Sequence, residues 1–194
     1  MFKRLETRFK TRSLALIAGA SLALGALAPV AHAADDAKQS SVVATFKQMN
    51  VPVDGTFKTV DAKLHFDPAN LAASNARITV KVASFDLGSP EYNKEVAGKD
   101  WFAAQEFPEA TFVSKAIKMG PDARYDVEGT LTIRGKSKDV VVPMRYQAEG
   151  GAQVFNGTLS IKRLDYGIGQ GDWTDTSIVA DDVQLKFHIV YSGQ

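Results

Sequence analysis

The residues best equipped for chemistry cluster late in the chain. Arg163-Leu164-Asp165-Tyr166 run into Gly167, Gly169 and Gly171, and Trp173 follows in the same stretch. A cation, a carboxylate, a phenol and an indole at the rim of a fold could hold the polar end of a ligand. The alternative is that Arg163 and Asp165 pair with each other and brace the glycine-rich turn. A single Arg is a poor clamp for a pyrophosphate, which favours bracing. The glycines do not read as a nucleotide loop, because that fingerprint must open a helix after a strand, and Asp172-Trp173-Thr174-Asp175-Thr176 opens none. Asp172, Asp175, Asp181 and Asp182 have the oxygen ligands calcium takes but not the spacing of its loops. Beyond residue 33 the chain has two histidines, His65 and His188, both at polar positions of strands, and it has no cysteine. Zinc needs three or four ligands, and no Ser sits in a nucleophile-elbow context. The sequence therefore predicts a non-enzyme with no metal and no cofactor.

These residues sit among strands. In Arg124–Arg134, Tyr125, Val127, Leu131 and Ile133 alternate with Arg124, Asp126, Glu128, Thr130 and Thr132. A period of two is that of a strand with one dry and one wet face. The same alternation recurs in seven further runs: 41–49, 56–67, 76–82, 110–118, 140–146, 155–161 and 183–191. On the run at 110–118, Ala110, Phe112, Ser114 and Ala116 are expected to share one face. Val51-Pro52-Val53-Asp54-Gly55 reads as an interruption, residues 68–75 as a turn region, and Gly135–Lys138 as a short polar link. Periodicity fails between Asp86 and Pro108, where Ser89-Pro90-Glu91 signals a helix start with a hydroxyl N-cap and reaches about Ala97. The expected fold is all-β: an eight-stranded antiparallel lipocalin-like barrel with a short helical or irregular insertion between strands three and four. Closure removes edges, and eight strands leave an interior for one slender ligand. A two-layer sandwich is the alternative.

The dry faces are large and aromatic. Phe46, Phe57, Phe66 and Phe85 come from the first half, with Val80 beside them. Trp101 and Phe102 fall in the irregular segment, where a cap over one mouth would lie. Phe112, Leu131, Met144, Phe155 and Ile161 come from the later strands. Each alone reads as core; together, in a closed barrel, they would line an apolar tunnel.

The first residues set the compartment. Lys3, Arg4, Arg8, Lys10 and Arg12 precede an uncharged run rich in Leu and Ala, and Ala31-His32-Ala33 has the small-x-small form of a cleavage site. This is the pattern of a secretory signal peptide cut after Ala33, which predicts a periplasmic product. The expected division is a signal peptide over 1–33, a flexible lead-in over 34–40 and one barrel domain over 41–194. Without the leader, 18 basic residues face 21 acidic ones, a net charge of −3. A mildly acidic body without a basic stripe argues against nucleic acid. With no disulfide available, stability must come from packing.

Several phrases resemble the YceI-like family. They are Gly98-Lys99-Asp100-Trp101-Phe102, Phe107-Pro108-Glu109-Ala110-Thr111-Phe112-Val113-Ser114, Gly129-Thr130-Leu131-Thr132-Ile133-Arg134-Gly135 with Lys138 and Val140, and Arg163-Leu164-Asp165-Tyr166-Gly167-Ile168-Gly169 with Trp173. Asn50–Phe57 is similar to the family's early turn. The match runs in order from about Ser41 to Tyr191. Gln48 stands where many members carry His, so no head-group role transfers to that position. The resemblance implies a secreted lipocalin-like barrel that holds a polyisoprenoid or other long-chain amphiphile, a quinone among them, for transport, storage or sequestration. The partner it implies is that lipid, with transient contact to an inner-membrane quinone enzyme. Two rivals stay open: a stress or interaction module partnering such an enzyme, and a lipid hydrolase.

Overall fold

The computed structural model describes residues 39–193; the expected signal peptide and residues 34–38 of the lead-in lie outside them. Within that range ten strands form one antiparallel sheet: β1 Ser41–Gln48, β2 Val51–Phe57, β3 Val60–His65, β4 Asn75–Lys81, β5 Phe85–Asp86, β6 Glu109–Met119, β7 Tyr125–Ile133, β8 Lys136–Glu149, β9 Ala152–Lys162 and β10 Val179–Tyr191. One α-helix, α1 Pro90–Ala97, interrupts them. The strand order is β3-β4-β6-β7-β8-β9-β10-β1-β2-β5. The sheet curls into a lipocalin-like half-barrel around an apolar interior.

Ten strands replace the expected eight for a definable reason. The second expected strand splits at Lys58-Thr59: its first part, β2, pairs with β1 and its second, β3, pairs with β4. The two outer regions of the sheet are thus consecutive stretches of chain, and the barrel is drawn together by a covalent corner. The two-residue β5 on β2 supplies the remaining strand.

The interruption expected at 51–55 is instead strand. Met49 and Asn50 take φ of 49° and 65°, and Gln48 pairs with Val51, so a two-residue turn joins β1 to β2. Arg134-Gly135 and Gly150-Gly151 also have positive φ and join β7 to β8 and β8 to β9. Such turns match the natural twist of a hairpin. This is why β8 starts at Lys136 rather than after the expected polar link.

β7 keeps the alternation expected of it, every odd position being buried. β6 does not. A bulge at Lys115 shifts its register against β7, so Ile117 turns inward and Ala116 leaves the face it was expected to share with Phe112. The helix forms where Ser89-Pro90 signalled it, but the Ser89 hydroxyl donates to Glu91 Oε2 at 2.6 Å rather than capping the backbone. The lead-in is tied down at its last residue: the buried Ser40 Oγ accepts from the Val190 amide at 3.0 Å.

Candidate functional site

The inward faces of the strands enclose a cavity of about 210 Å³ that runs the length of the barrel. At one end its lining includes Phe66, Met144 and Phe155; at the other it includes Trp101, Arg163 and Ile168. All twelve residues expected on the dry interior line it: Phe46, Phe57, Phe66 and Val80, then Phe85, Trp101, Phe102 and Phe112, then Leu131, Met144, Phe155 and Ile161. Apart from the tryptophan indole, the polar side chains on the lining belong to Asn75, Thr111 and Arg163. Such a cavity exceeds the roughly 150 Å³ apolar voids that stay dry and admit benzene.

Burial corroborates the hollow. Val183, Leu185 and Phe187 of β10 point inward, alternating with the exposed Gln184 and Lys186, yet each is only half-buried. Inward side chains in a filled core make contacts on all sides; these face space.

The two ends are built differently. At the first, Phe66 packs on Tyr125, Tyr146 and Phe155 with ring centroids 5.1, 4.8 and 5.3 Å away. Gln153 Nε2 donates to the Phe66 carbonyl at 3.0 Å, fixing that ring's backbone. Asn75 lines the cavity and is exposed, so the lining reaches the surface here. At the second end two loops meet, one over residues 98–108 and one over 163–178. The Gln170 amide donates to the Asp100 carbonyl at 2.7 Å, and Arg134 donates to the carbonyls of both Lys99 and Gly167. Trp101 packs against Trp173 beneath them, the ring centroids 5.2 Å apart and the planes tilted by 51°. Behind this cap, Asp86 accepts from Asn93 of α1 at 2.8 Å and pairs with Lys58 at the β2–β3 corner. Lys58, with Asn93 and the Gly88 amide, holds the Asp86 carboxyl well below the usual carboxylate range.

The four residues expected at a polar mouth are dispersed. Arg163 is only 2% exposed and does not pair with Asp165. Its Nε donates to the Ala180 carbonyl, one terminal nitrogen to those of Ile168 and Gly169, the other to those of Trp173 and Val179, at 2.6–3.2 Å. All five of its N–H groups are spent on backbone, so it braces the turn, though not through the expected partner. Burial pushes its pKa down, against the opposing pull of the Asp181 charge. Asp165 is exposed and pairs with Lys138 at 3.3 Å. Tyr166 is buried away from the cavity lining, its phenol pKa raised by burial and by the Asp165 charge. Trp173 is half-buried behind Trp101 and does not line the cavity either.

Sequence reasoning missed a set of inward glycines. A Cβ on Gly55 would lie 2.1 Å from Phe85 Cζ, one on Gly129 2.5 Å from Phe112 Cζ, and one on Gly157 2.2 Å from Phe187 Cζ. Each leaves room for the far end of a cavity-lining ring to approach the wall. The available signal was a glycine inside a strand pattern, which marks close approach. Among the described residues no cluster of His, Asp or Glu could hold a metal; His188 faces Asn156 on the outer wall at 2.7 Å, and His65 is exposed.

Residues 34–191 match the YceI-like domain family. The chain belongs to that family. Among curated relatives, the UPF0312 protein of Pseudomonas syringae pv. tomato is 35% identical over 144 residues, 69% of this chain and 75% of that protein. Among solved structures, BcnA of Burkholderia cenocepacia is 53% identical with a TM-score of 0.76, over 78% of this chain and 95% of that one. The Campylobacter jejuni YceI protein is 28% identical with a TM-score of 0.65, over 73% and 85%. A polyisoprenoid-binding domain from Saccharophagus degradans, implicated in plant cell wall breakdown, shares the fold at 18% identity and a TM-score of 0.66, over 82% and 97%.

Proposed function

We propose that this YceI-like protein is a periplasmic, non-catalytic carrier of one long-chain isoprenoid or related amphiphile, a quinone among the candidates. It would hold that lipid for transport, storage or sequestration. The observation that carries the reading is the long, almost wholly apolar cavity between two aromatic ends. The polyisoprenoid-binding role of the Saccharophagus degradans domain points the same way. The leader pattern of residues 1–33 supports export, with cleavage after Ala33.

Energetics set the class of ligand. Apolar burial yields about 25 cal/mol per Å², and association costs at least about 4 kcal/mol. Micromolar binding needs about 8 kcal/mol net, so the tail must bury on the order of 500 Å². A short fatty chain falls below that; a tail of several isoprene units reaches it, with the part that the 210 Å³ cavity does not hold running out past Asn75. Selection by length rather than by chain chemistry follows. Hand-over to a membrane quinone enzyme fits Met49 and Val51, exposed apolar residues on the β1–β2 tip at the capped end.

The test is an organic extract of protein purified from its native periplasm, read by mass spectrometry, alongside displacement of an apolar fluorophore. A stoichiometric long-chain lipid is expected. No lipid and no displaceable fluorophore would refute the carrier reading.

A further inference from the structure

We infer that the Trp101 indole N–H is a hydrogen-bond anchor at the capped end of the cavity, and that it selects a neutral lipid carrying an oxygen acceptor. The inference rests on the carrier reading and names the head that site would take. Trp101 lines the cavity, is 8% exposed, and its Nε1 is buried with no acceptor among the described residues. Buried donors are satisfied as a rule, and an orphan is costly. The two loops that form the cap satisfy one another: Gln170 with Asp100, Arg134 with Lys99 and Gly167, Arg163 with five carbonyls. They leave this donor out. The remaining source of an acceptor is the cavity itself.

The neighbouring Arg163 defines what that acceptor can be. Its guanidinium carbon stands 5.9 Å from the Trp101 ring centroid, so the end carries positive charge. Its N–H groups are all committed to backbone, so a phosphate or carboxylate entering here would lose its water and gain no charge-assisted donor from it. Desolvating such an anion is expensive without paired donors. A carbonyl, ether or hydroxyl oxygen brings far less desolvation, presents its negative pole to the positive end, and needs a single donor, which the indole N–H supplies. Lipid enters with its acceptor at Trp101 and its tail running toward Phe66 and Tyr125.

The experiment compares three chain-matched isoprenoids by fluorophore displacement on delipidated protein: a hydrocarbon, a terminal ketone and a terminal phosphate. For the wild-type protein the ketone is expected to bind about tenfold tighter than the hydrocarbon, equivalent to about 1.4 kcal/mol, and the phosphate weakest. In Trp101→Phe the preference for the ketone over the hydrocarbon is expected to fall to about twofold or less. The chain holds two tryptophans, so an amide-type NMR spectrum shows two indole N–H signals, assigned through Trp173→Phe. The Trp101 signal is expected to move downfield with the ketone and to stay with the hydrocarbon, a response that a packing role would not produce. An unchanged ketone preference in Trp101→Phe, or a stationary indole signal at saturating ketone, overturns the anchor and leaves the carrier intact. Phosphate binding tighter than ketone overturns the neutral-head assignment. Failure of all three lipids to bind overturns the carrier reading and the anchor with it.

Discussion

Arg163 shows how little a residue's charge says about its task. A guanidinium at the end of a strand is ordinarily solvated, and when it is buried it needs a full set of acceptors. Here the acceptors are the carbonyls of residues 168, 169, 173, 179 and 180. Three come from the loop that folds back over the strand and two from the start of β10, so nothing in the spacing of Arg163 and Asp165 announced them. Arg163→Ala removes five donors from a buried loop, and at about 1–3 kcal/mol per orphaned group with some relief by water, a loss of at least about 3 kcal/mol is expected in urea unfolding. Arg163→Lys recovers only part of this, since three ammonium donors cannot reach five carbonyls in that plane. Asp165→Asn, which breaks an exposed pair with Lys138, is expected to change stability by less than about 1 kcal/mol. A large effect at Asp165 and none at Arg163 would reverse the assignment.

At the scale of elements, the faces of most strands were legible, because alternation depends only on neighbours along the chain. β7 and the inward set of β10 are examples. What was hidden depends on the partner strand. The Lys115 bulge turns Ile117 inward only because β7 pairs two residues with three at that point, and the split at Lys58-Thr59 exists because β1 and β4 compete for one run. The inward glycines are hidden for the same reason: Gly157 matters because Phe187 of the next strand lies over it. Gly157→Ala drives that ring toward the cavity and meets the Pro143 carbonyl at 2.4 Å, so a loss of about 1–3 kcal/mol is expected, with weaker lipid binding. The cap has its own signature. Because Lys58 and Asn93 depress the Asp86 pKa, the folded state holds its proton less tightly than the unfolded chain. That contribution is complete above the ordinary carboxylate range and fades as pH drops below about 4. Asp86→Asn should flatten the acid limb of the stability–pH curve below that point; an unchanged limb would show that Asp86 does not fasten α1 to the β2–β3 corner.

For the whole molecule the decisive property is that the barrel stabilises its shell without filling its centre. A packed core resists added volume, and an inserted large side chain typically costs about 1–3 kcal/mol. A cavity absorbs it. Leu159 lines the cavity and, though inward, is only half-buried, so Leu159→Trp has room to extend. The expected outcome is stability within about 1 kcal/mol of wild type together with loss of lipid. Ligand at a hundredfold excess over Kd adds about 2.7 kcal/mol to a native state that binds it, which for a domain of this size raises Tm by roughly 5–10 °C. The wild-type protein should show that rise on adding a long-chain isoprenoid and Leu159→Trp should not. A filled interior gives the opposite pair: a destabilised variant and a wild-type Tm indifferent to lipid. The comparison therefore separates a vessel from a solid without needing to know which lipid the vessel carries.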